Sequence, residues 1–185
     1  MIPLKLRRRY LRAPLHTNFL YKDLNCVSKG KIENISEGGA LLSLSGNLDD
    51  KVPFRIYIDL PEVPNFSNMP ISEIYSLGKE SFKHHVFHAE MAMRRATENN
   101  GSYMKRAGCE FVNIEIDDLK AISLYVQNYA SSIVFVLSLF EQGVHRKDVH
   151  DLIRKTLGLL NYPETEKLAE LRQKLLHDYQ SLESL

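Results

Sequence analysis

The chain has 185 residues, enough for one domain or one domain with an appendage, and 44% of them are hydrophobic, as in an ordinary globular protein. Its formal net charge of +1 argues against a surface built for general polyanion binding and against long-range steering by net charge. The spacing of Cys26 and Cys109 suits neither a metal knuckle nor a redox pair, and we expect two reduced thiols in a cytoplasmic protein.

The chain starts with a basic segment, in which Lys5, Arg7, Arg8, Arg9 and Arg12 crowd the first twelve positions. No long apolar stretch follows, so the segment is not typical of a signal peptide. A planar guanidinium group matches two phosphate oxygens or the Hoogsteen edge of guanine, and its face stacks on a base. In an extended arm, Arg8 and Arg12 point to similar sides with a gap between them. The segment therefore indicates a clasp for a compact anionic ligand.

Alternating hydrophobic residues and turn residues predict a β-rich region before Asp117. The six predicted strands cover residues 16–23, 27–33, 39–45, 54–60, 84–95 and 104–112. Gly46-Asn47 and Asp49-Asp50 supply turn chemistry, and Asn99-Asn100-Gly101 marks a hairpin between the last two strands. Prolines mark an irregular excursion over residues 61–80. Six strands with short links fit a small closed antiparallel barrel, which removes exposed sheet edges.

A second polar segment, Asn34-Ile35-Ser36-Glu37-Gly38-Gly39, lies between the second and third predicted strands. Asn34 and Ser36 carry short side chains that hydrogen-bond to a ligand or to their own backbone. Gly38 and Gly39 permit a positive φ and a close ligand approach, and backbone amides in such turns form anion-binding concavities. Because the sequence shows no carboxylate pair, activated nucleophile or metal set beside it, we expect binding chemistry, no cofactor and no enzymatic activity.

Three histidines, His84, His85 and His88, cluster in one predicted strand. His84 and His88 share a face, whereas His85 points away, so a metal site needs a third ligand from elsewhere. We favour a strand-surface role and expect no metal.

The pattern becomes helical from Asp117. Hydrophobic residues recur there at spacings of three and four: Leu119, Ile122, Val126, Tyr129, Ile133, Val136 and Phe140. Gly143 suits the end of this helix, and two further helices are predicted over residues 147–160 and 163–182. The most apolar run, residues 133–140, is far shorter than the ~20 residues of a membrane span. Packing within the chain is one reading of the apolar stripe, and a homodimer through these helices is the other.

The order of the motifs carries a family resemblance. Arg-x-x-x-Arg at Arg8 and Arg12, then a strand pair, then Asn-x-Ser-x-x-Gly at Asn34, Ser36 and Gly39, resembles the PilZ domain family over roughly residues 5–128. The resemblance implies a six-stranded barrel with a closing helix and a receptor for the bacterial second messenger cyclic di-GMP. It also implies that these five residues bind the nucleotide, with Arg7, Arg9 and Gly38 in auxiliary roles.

We therefore predict two parts. Residues 1–128 form the barrel with its arginine-rich arm and closing helix, and residues 129–185 form a helical extension for interaction or oligomerisation. The receptor would signal through its helices or an unidentified protein partner, with motility, adhesion and exopolysaccharide control as family-level outputs. The alternative is a PilZ-like protein–protein adaptor that binds no nucleotide. Nonspecific DNA or RNA binding by the arm requires a steep salt dependence, and the near-neutral charge argues against it.

Overall fold

The structure is a computed structural model, and it describes residues 9–23, 26–45, 52–98, 104–143 and 146–183. These residues form seven β-strands and four α-helices. The strands are β1 (Ala13–Pro14), β2 (Asn18–Asp23), β3 (Cys26–Ser36), β4 (Gly39–Ser45), β5 (Phe54–Pro61), β6 (His84–Glu98) and β7 (Met104–Asn113). The helices are α1 (Ile71–Ser76), α2 (Ile116–Gly143), α3 (Lys147–Leu159) and α4 (Leu168–Glu183).

The six long strands form a closed antiparallel barrel, which confirms the predicted fold class. Their order is β3-β2-β5-β6-β7-β4, and β4 pairs with β3 to close the circle. Every second side chain of a strand points into the barrel. In β5, Phe54, Ile56, Ile58 and Leu60 are buried, whereas the residues between them are exposed. β6 and β7 pair as the predicted hairpin, but the three predicted turn segments around residues 46–50 and 99–101 lie outside the described residues.

The proline-marked excursion is compact. It contains α1 and two single 3₁₀ turns, Phe66–Asn68 and Lys79–Ser81. Phe66 is fully buried, and its backbone N–H donates to Ser132 Oγ on α2 at 3.2 Å. Asn128 of α2 donates to the carbonyl oxygen of Val63 at 2.9 Å. The excursion is therefore fixed to the long helix by polar contacts as well as by burial.

α2 is the central helix of the C-terminal part. Its predicted apolar stripe is inward, with Ile122, Val126, Ile133 and Val136 all buried. The helix runs through residue 128 and ends at Gly143, where φ is +112°. By length and composition α2 could cross a membrane, but core helices pass the same test, and 44% of its most apolar window is buried inside the protein. We interpret it as a core helix.

α4 begins five residues later than Pro163, the predicted start. The side chain of Arg154 on α3 explains the delay, because its Nη1 donates to the carbonyl oxygens of Glu164 at 2.6 Å and Glu166 at 2.7 Å. Those carbonyls are thereby held in a turn. The turn starts at Asn161, which has a φ of +68°. α3 and α4 then pack beside α2, so the helical region is a bundle within the chain.

Candidate functional site

The short strand β1 brings the two polar motifs together. Ala13 pairs with Ile35 and Pro14 pairs with Asn34 of β3. The N–H of Leu15 adds a hydrogen bond to the carbonyl oxygen of Glu33 at 3.1 Å. The pairing ends at Ala13, so Arg12 stands one residue before β1, at the end of β3 that carries Ser36. The last arginine of the first motif and the serine of the second are therefore at the same end of β3.

The ring of Tyr10 lies directly on the glycine turn. A Cβ placed on Gly38 would be 2.7 Å from Cδ2 of Tyr10, closer than side chains tolerate. The Arg9 guanidinium in turn lies 5.4 Å from the centre of the Tyr10 ring, within cation–π range. The arm is thus placed over the turn by an aromatic contact, and a side chain at position 38 would displace the Tyr10 ring from it.

Ser36 and Gly39 hold the shape of the second motif. Ser36 is buried, and its Oγ donates to the carbonyl oxygen of Gly39 at 3.0 Å. Gly39 has a φ of +152°, and a Cβ there would overlap the carbonyl oxygen of Cys109. The carbonyl oxygen of Gly38 accepts the N–H of Phe111 at 3.2 Å. The turn is therefore a rigid part of the barrel wall, built on β7.

Asn34 offers an unused acceptor at this wall. Its side chain is half-buried, and Oδ1 is buried without a hydrogen-bond partner among the described residues. A buried polar atom without a partner is costly, which makes it a candidate ligand contact. Beside it, Glu33 is occupied, since its Oε1 accepts from Ser43 Oγ at 2.6 Å and from Arg106 Nε at 3.0 Å.

Helix α2 braces both motifs from behind. Tyr125 donates to the carbonyl oxygen of Pro14 at 2.5 Å, and burial raises the pKa of its phenol well above the ordinary value. Ser123 Oγ donates to Glu37 Oε1 at 2.7 Å, inside the second motif. The helix therefore contacts the residues next to Arg12 and those next to Ser36.

Of the predicted site residues, Asn34, Ser36 and Gly39 lie on the paired strands β3 and β4, and Arg12 lies one residue before β1, which pairs with Ile35 and Asn34. Arg9 and Gly38 both contact Tyr10. Arg7 and Arg8 lie outside the described residues. Sequence reasoning missed Tyr10, Ser123 and Tyr125. Tyr10 could have been found, because it lies inside the arginine motif. The two α2 residues are far away in the sequence and carry no local signal.

The histidine cluster does not form a metal site within the described part of the chain, where no group of three metal-binding side chains occurs. His84 Nδ1 lies 2.7 Å from Asp59 Oδ1, and His85 Nε2 lies 2.7 Å from Asp118 Oδ1 at the start of α2. The first pair is exposed on β5 and β6, and the second joins the barrel to α2. Both are contacts within the fold.

Comparison with known proteins identifies one family model, the PilZ domain, which matches residues 6–128. No curated protein matches the chain. Solved structures resemble it at low identity. They include the inhibitor of motility MotI/DgrA of Bacillus subtilis, with 17% identity, a TM-score of 0.48 and coverage of 65% of this chain and 50% of that one.

Two further structures are the PilZ domain of YcgR from Escherichia coli with c-di-GMP and the K. pneumonia MrkH–c-di-GMP complex. The first has 19% identity, a TM-score of 0.41 and coverage of 66% of this chain and 91% of that one. The second has 14% identity, a TM-score of 0.43 and coverage of 66% and 51%. The chain thus matches about half the length of MotI/DgrA and MrkH. With TM-scores below 0.5, these likenesses are too distant to carry a functional conclusion.

Proposed function

The chain belongs to the PilZ domain family, and from that premise we propose that it is a bacterial, cytoplasmic receptor for cyclic di-GMP rather than an enzyme. The observation that supports the proposal is the pairing of β1 with β3, because β1 begins one residue after Arg12 and pairs at the end of β3 that carries Asn34 and Ser36. The arm and the barrel wall then offer charge, amide groups and close backbone approach at one place. A ligand with phosphates and planar bases matches that combination.

Each residue has a separate role in this proposal. Arg8 and Arg12 bind phosphate and guanine, since a guanidinium group donates in pairs to phosphate oxygens or to guanine O6 and N7. Asn34 supplies the buried Oδ1, which has no partner among the described residues and matches a ligand N–H donor. Ser36 and Gly39 fix the wall, while Arg9 and Gly38 assist by seating Tyr10.

Signal output is proposed to pass through α2. Tyr125 and Ser123 connect this helix to both motifs, and α2 continues into the bundle with α3 and α4. A ligand that shifts the position of the arm therefore also shifts the position of α2. We keep the division into residues 1–128 and 129–185, the unidentified protein partner and the homodimer as parts of this proposal. Control of motility, adhesion or exopolysaccharide is the expected class of output.

Calorimetric titration with cyclic di-GMP tests the proposal. The intact protein should release or absorb heat at micromolar ligand, and Arg12→Ala should weaken binding by at least ~2 kcal/mol, because it removes a charged bidentate contact. Arg172→Ala is the matched control, since Arg172 is exposed on α4. No heat with the intact protein would contradict the receptor function and favour the nucleotide-independent adaptor.

A further inference from the structure

The outer face of the barrel continues the site away from Asn34. Across the strands, Asn34 pairs with Leu41, Leu41 with Gly108, and Gly108 with Arg95. Asn34, Leu41 and Gly108 belong to the outward face, because their neighbours Ile35, Ala40, Leu42, Ala107 and Cys109 are buried in the core. Arg95, which follows a register shift in β6, pairs with Gly108 and is exposed. Adjacent strands lie about 5 Å apart, so Gly108 is about 10 Å from Asn34 and Arg95 about 15 Å. The row therefore runs across the barrel surface from the second motif on β3, over β4 and β7, to β6.

Gly108 leaves an area of uncovered peptide backbone in this row, which we call the floor. A Cβ placed on it would meet no atom within 4 Å, so the space above the backbone is open. Leu41, half-buried, supplies the apolar edge of the floor. The absence of a side chain at position 108 leaves a flat area of peptide backbone, on which a planar ring can lie.

Two ion pairs frame the floor without covering it. Along β7, Arg106 is bound to Glu33, and Glu110 accepts from Arg94 Nε at 2.7 Å. These cross-strand pairs occupy the charged side chains two residues before and two residues after Gly108. They are therefore directed to their partners and do not fill the space over the glycine.

Arg95 stands at the far edge of the floor. Its side chain is exposed, and it makes no hydrogen bond or ion pair with any residue that the structure describes. A guanidinium group stacks on a base and donates two hydrogen bonds to guanine O6 and N7, whereas adenine offers N7 but carries an amino donor in place of O6. The floor and its neighbour thus match the face and the edge of a guanine base.

We propose that Leu41, Gly108 and Arg95 form the subsite for the second base of the bound dinucleotide. The inference rests on the proposed function, in which the arginine arm and Asn34 hold the phosphates and the first base. The second guanine stacks over Leu41 and Gly108, and Arg95 contacts its Hoogsteen edge. This assigns one base to the arm and the other to the outer sheet.

Calorimetry with cyclic di-GMP on three variants of the full chain tests the subsite. Gly108→Val fills the floor but has room for its side chain, and valine favours a strand, so the variant should fold at least as stably as the parent. Arg95→Ala removes the edge contact. Each should raise the Kd about tenfold, a typical loss for one base contact. Arg55→Ala is the control, because Arg55 is an exposed strand arginine that pairs with Glu90.

Cyclic di-AMP gives a second readout. The parent should prefer cyclic di-GMP, and Arg95→Ala should narrow that preference because it removes the group that reads guanine. If Arg12→Ala loses binding while Gly108→Val and Arg95→Ala bind like the parent, the subsite is wrong and the receptor function stands. If the parent itself does not bind cyclic di-GMP, both are overturned.

Discussion

The phenol of Tyr125 donates a hydrogen bond to the carbonyl oxygen of Pro14 at 2.5 Å, across 111 positions of the sequence. Pro14 lies in β1, two residues after Arg12, so a helix of the C-terminal part holds the end of the arginine arm. Tyr125 is 5% exposed, and a hydrogen bond that is shielded from water in this way fixes the position of β1 against the helix. Ligand binding at the arm and packing in the helical bundle are thereby coupled.

Tyr125→Phe should uncouple the arm from α2. The ring keeps its packing against Tyr129, while the carbonyl of Pro14 loses its donor, so the free energy of unfolding should fall by about 1–2 kcal/mol. The affinity for cyclic di-GMP should fall as well, because the arm loses its anchor. Urea unfolding and calorimetry measure the two effects. Tyr57→Phe, at an exposed tyrosine on β5, should change neither, and equal behaviour of the two variants would contradict the coupling.

Gly39→Ala should destabilise the barrel strongly. The alanine would need the positive φ of +152° and would overlap the carbonyl oxygen of Cys109 on β7, so a loss of more than about 2 kcal/mol is expected. Gly108→Ala is a matched control on β7, where a Cβ has open space. Thermal unfolding should show a large drop in Tm for the first variant and none for the second. Similar Tm values would refute the steric argument.

The barrel could be predicted because its strands carry the pattern of their burial. Alternation in β5 matches the inward face residue by residue, and Gly39 marks the start of β4 as expected. β1 could not be predicted, since two residues ending in a proline show no periodicity and pair only because β3 offers Ile35 and Asn34. The late start of α4 has the same origin, because it depends on Arg154 from another helix.

The candidate site also combines features that the local sequence predicts with contacts that depend on distant residues. The motif residues Arg12, Asn34, Ser36 and Gly39 are visible as a spacing in the sequence; in the structure Ser36 pairs with Gly39, and β1, which begins one residue after Arg12, pairs with Asn34. The contacts that support them are not visible, because Ser123 and Tyr125 act across 86 and 111 positions. A local pattern records which residues favour a turn or a strand; it does not record which distant side chain supplies the hydrogen bond.

The two thiols should differ sharply in reactivity. Cys109 is buried between β4 and β6, and burial raises its pKa to about 12, whereas Cys26 is exposed. The thiolate is the reactive form, so a disulfide reagent at pH 8 should modify Cys26 in the folded protein and both thiols in urea. Cys26→Ser should abolish the fast reaction. Rapid modification of Cys109 in that folded variant would show that β7 opens more readily than its burial indicates.

Alkaline pH should unfold the protein through its buried tyrosines. Tyr129 donates to the oxygen of Tyr162 at 3.4 Å, and Tyr162 donates to Asp178 Oδ2 at 2.5 Å. Burial is the main cause that raises the pKa of both phenols, and Asp178 raises that of Tyr162 further. Above pH 10 the unfolded chain therefore loses protons that the folded chain keeps. The contribution is fully present below the unfolded pKa of about 10 and declines as pH rises beyond it.

Each such phenol steepens the decline by up to about 1.4 kcal/mol per pH unit. Tyr162→Phe should lower the free energy of unfolding at pH 7, because Asp178 loses a donor, yet it should flatten the slope above pH 10. Urea unfolding of the parent and the variant from pH 7 to pH 11 measures both effects, the lower free energy of unfolding at pH 7 and the flatter slope above pH 10. Tyr57→Phe, whose hydroxyl is exposed, should leave the slope unchanged. A parent protein equally stable at pH 8 and pH 11 would contradict the assignment, since it would mean that the phenols ionise alike in both states.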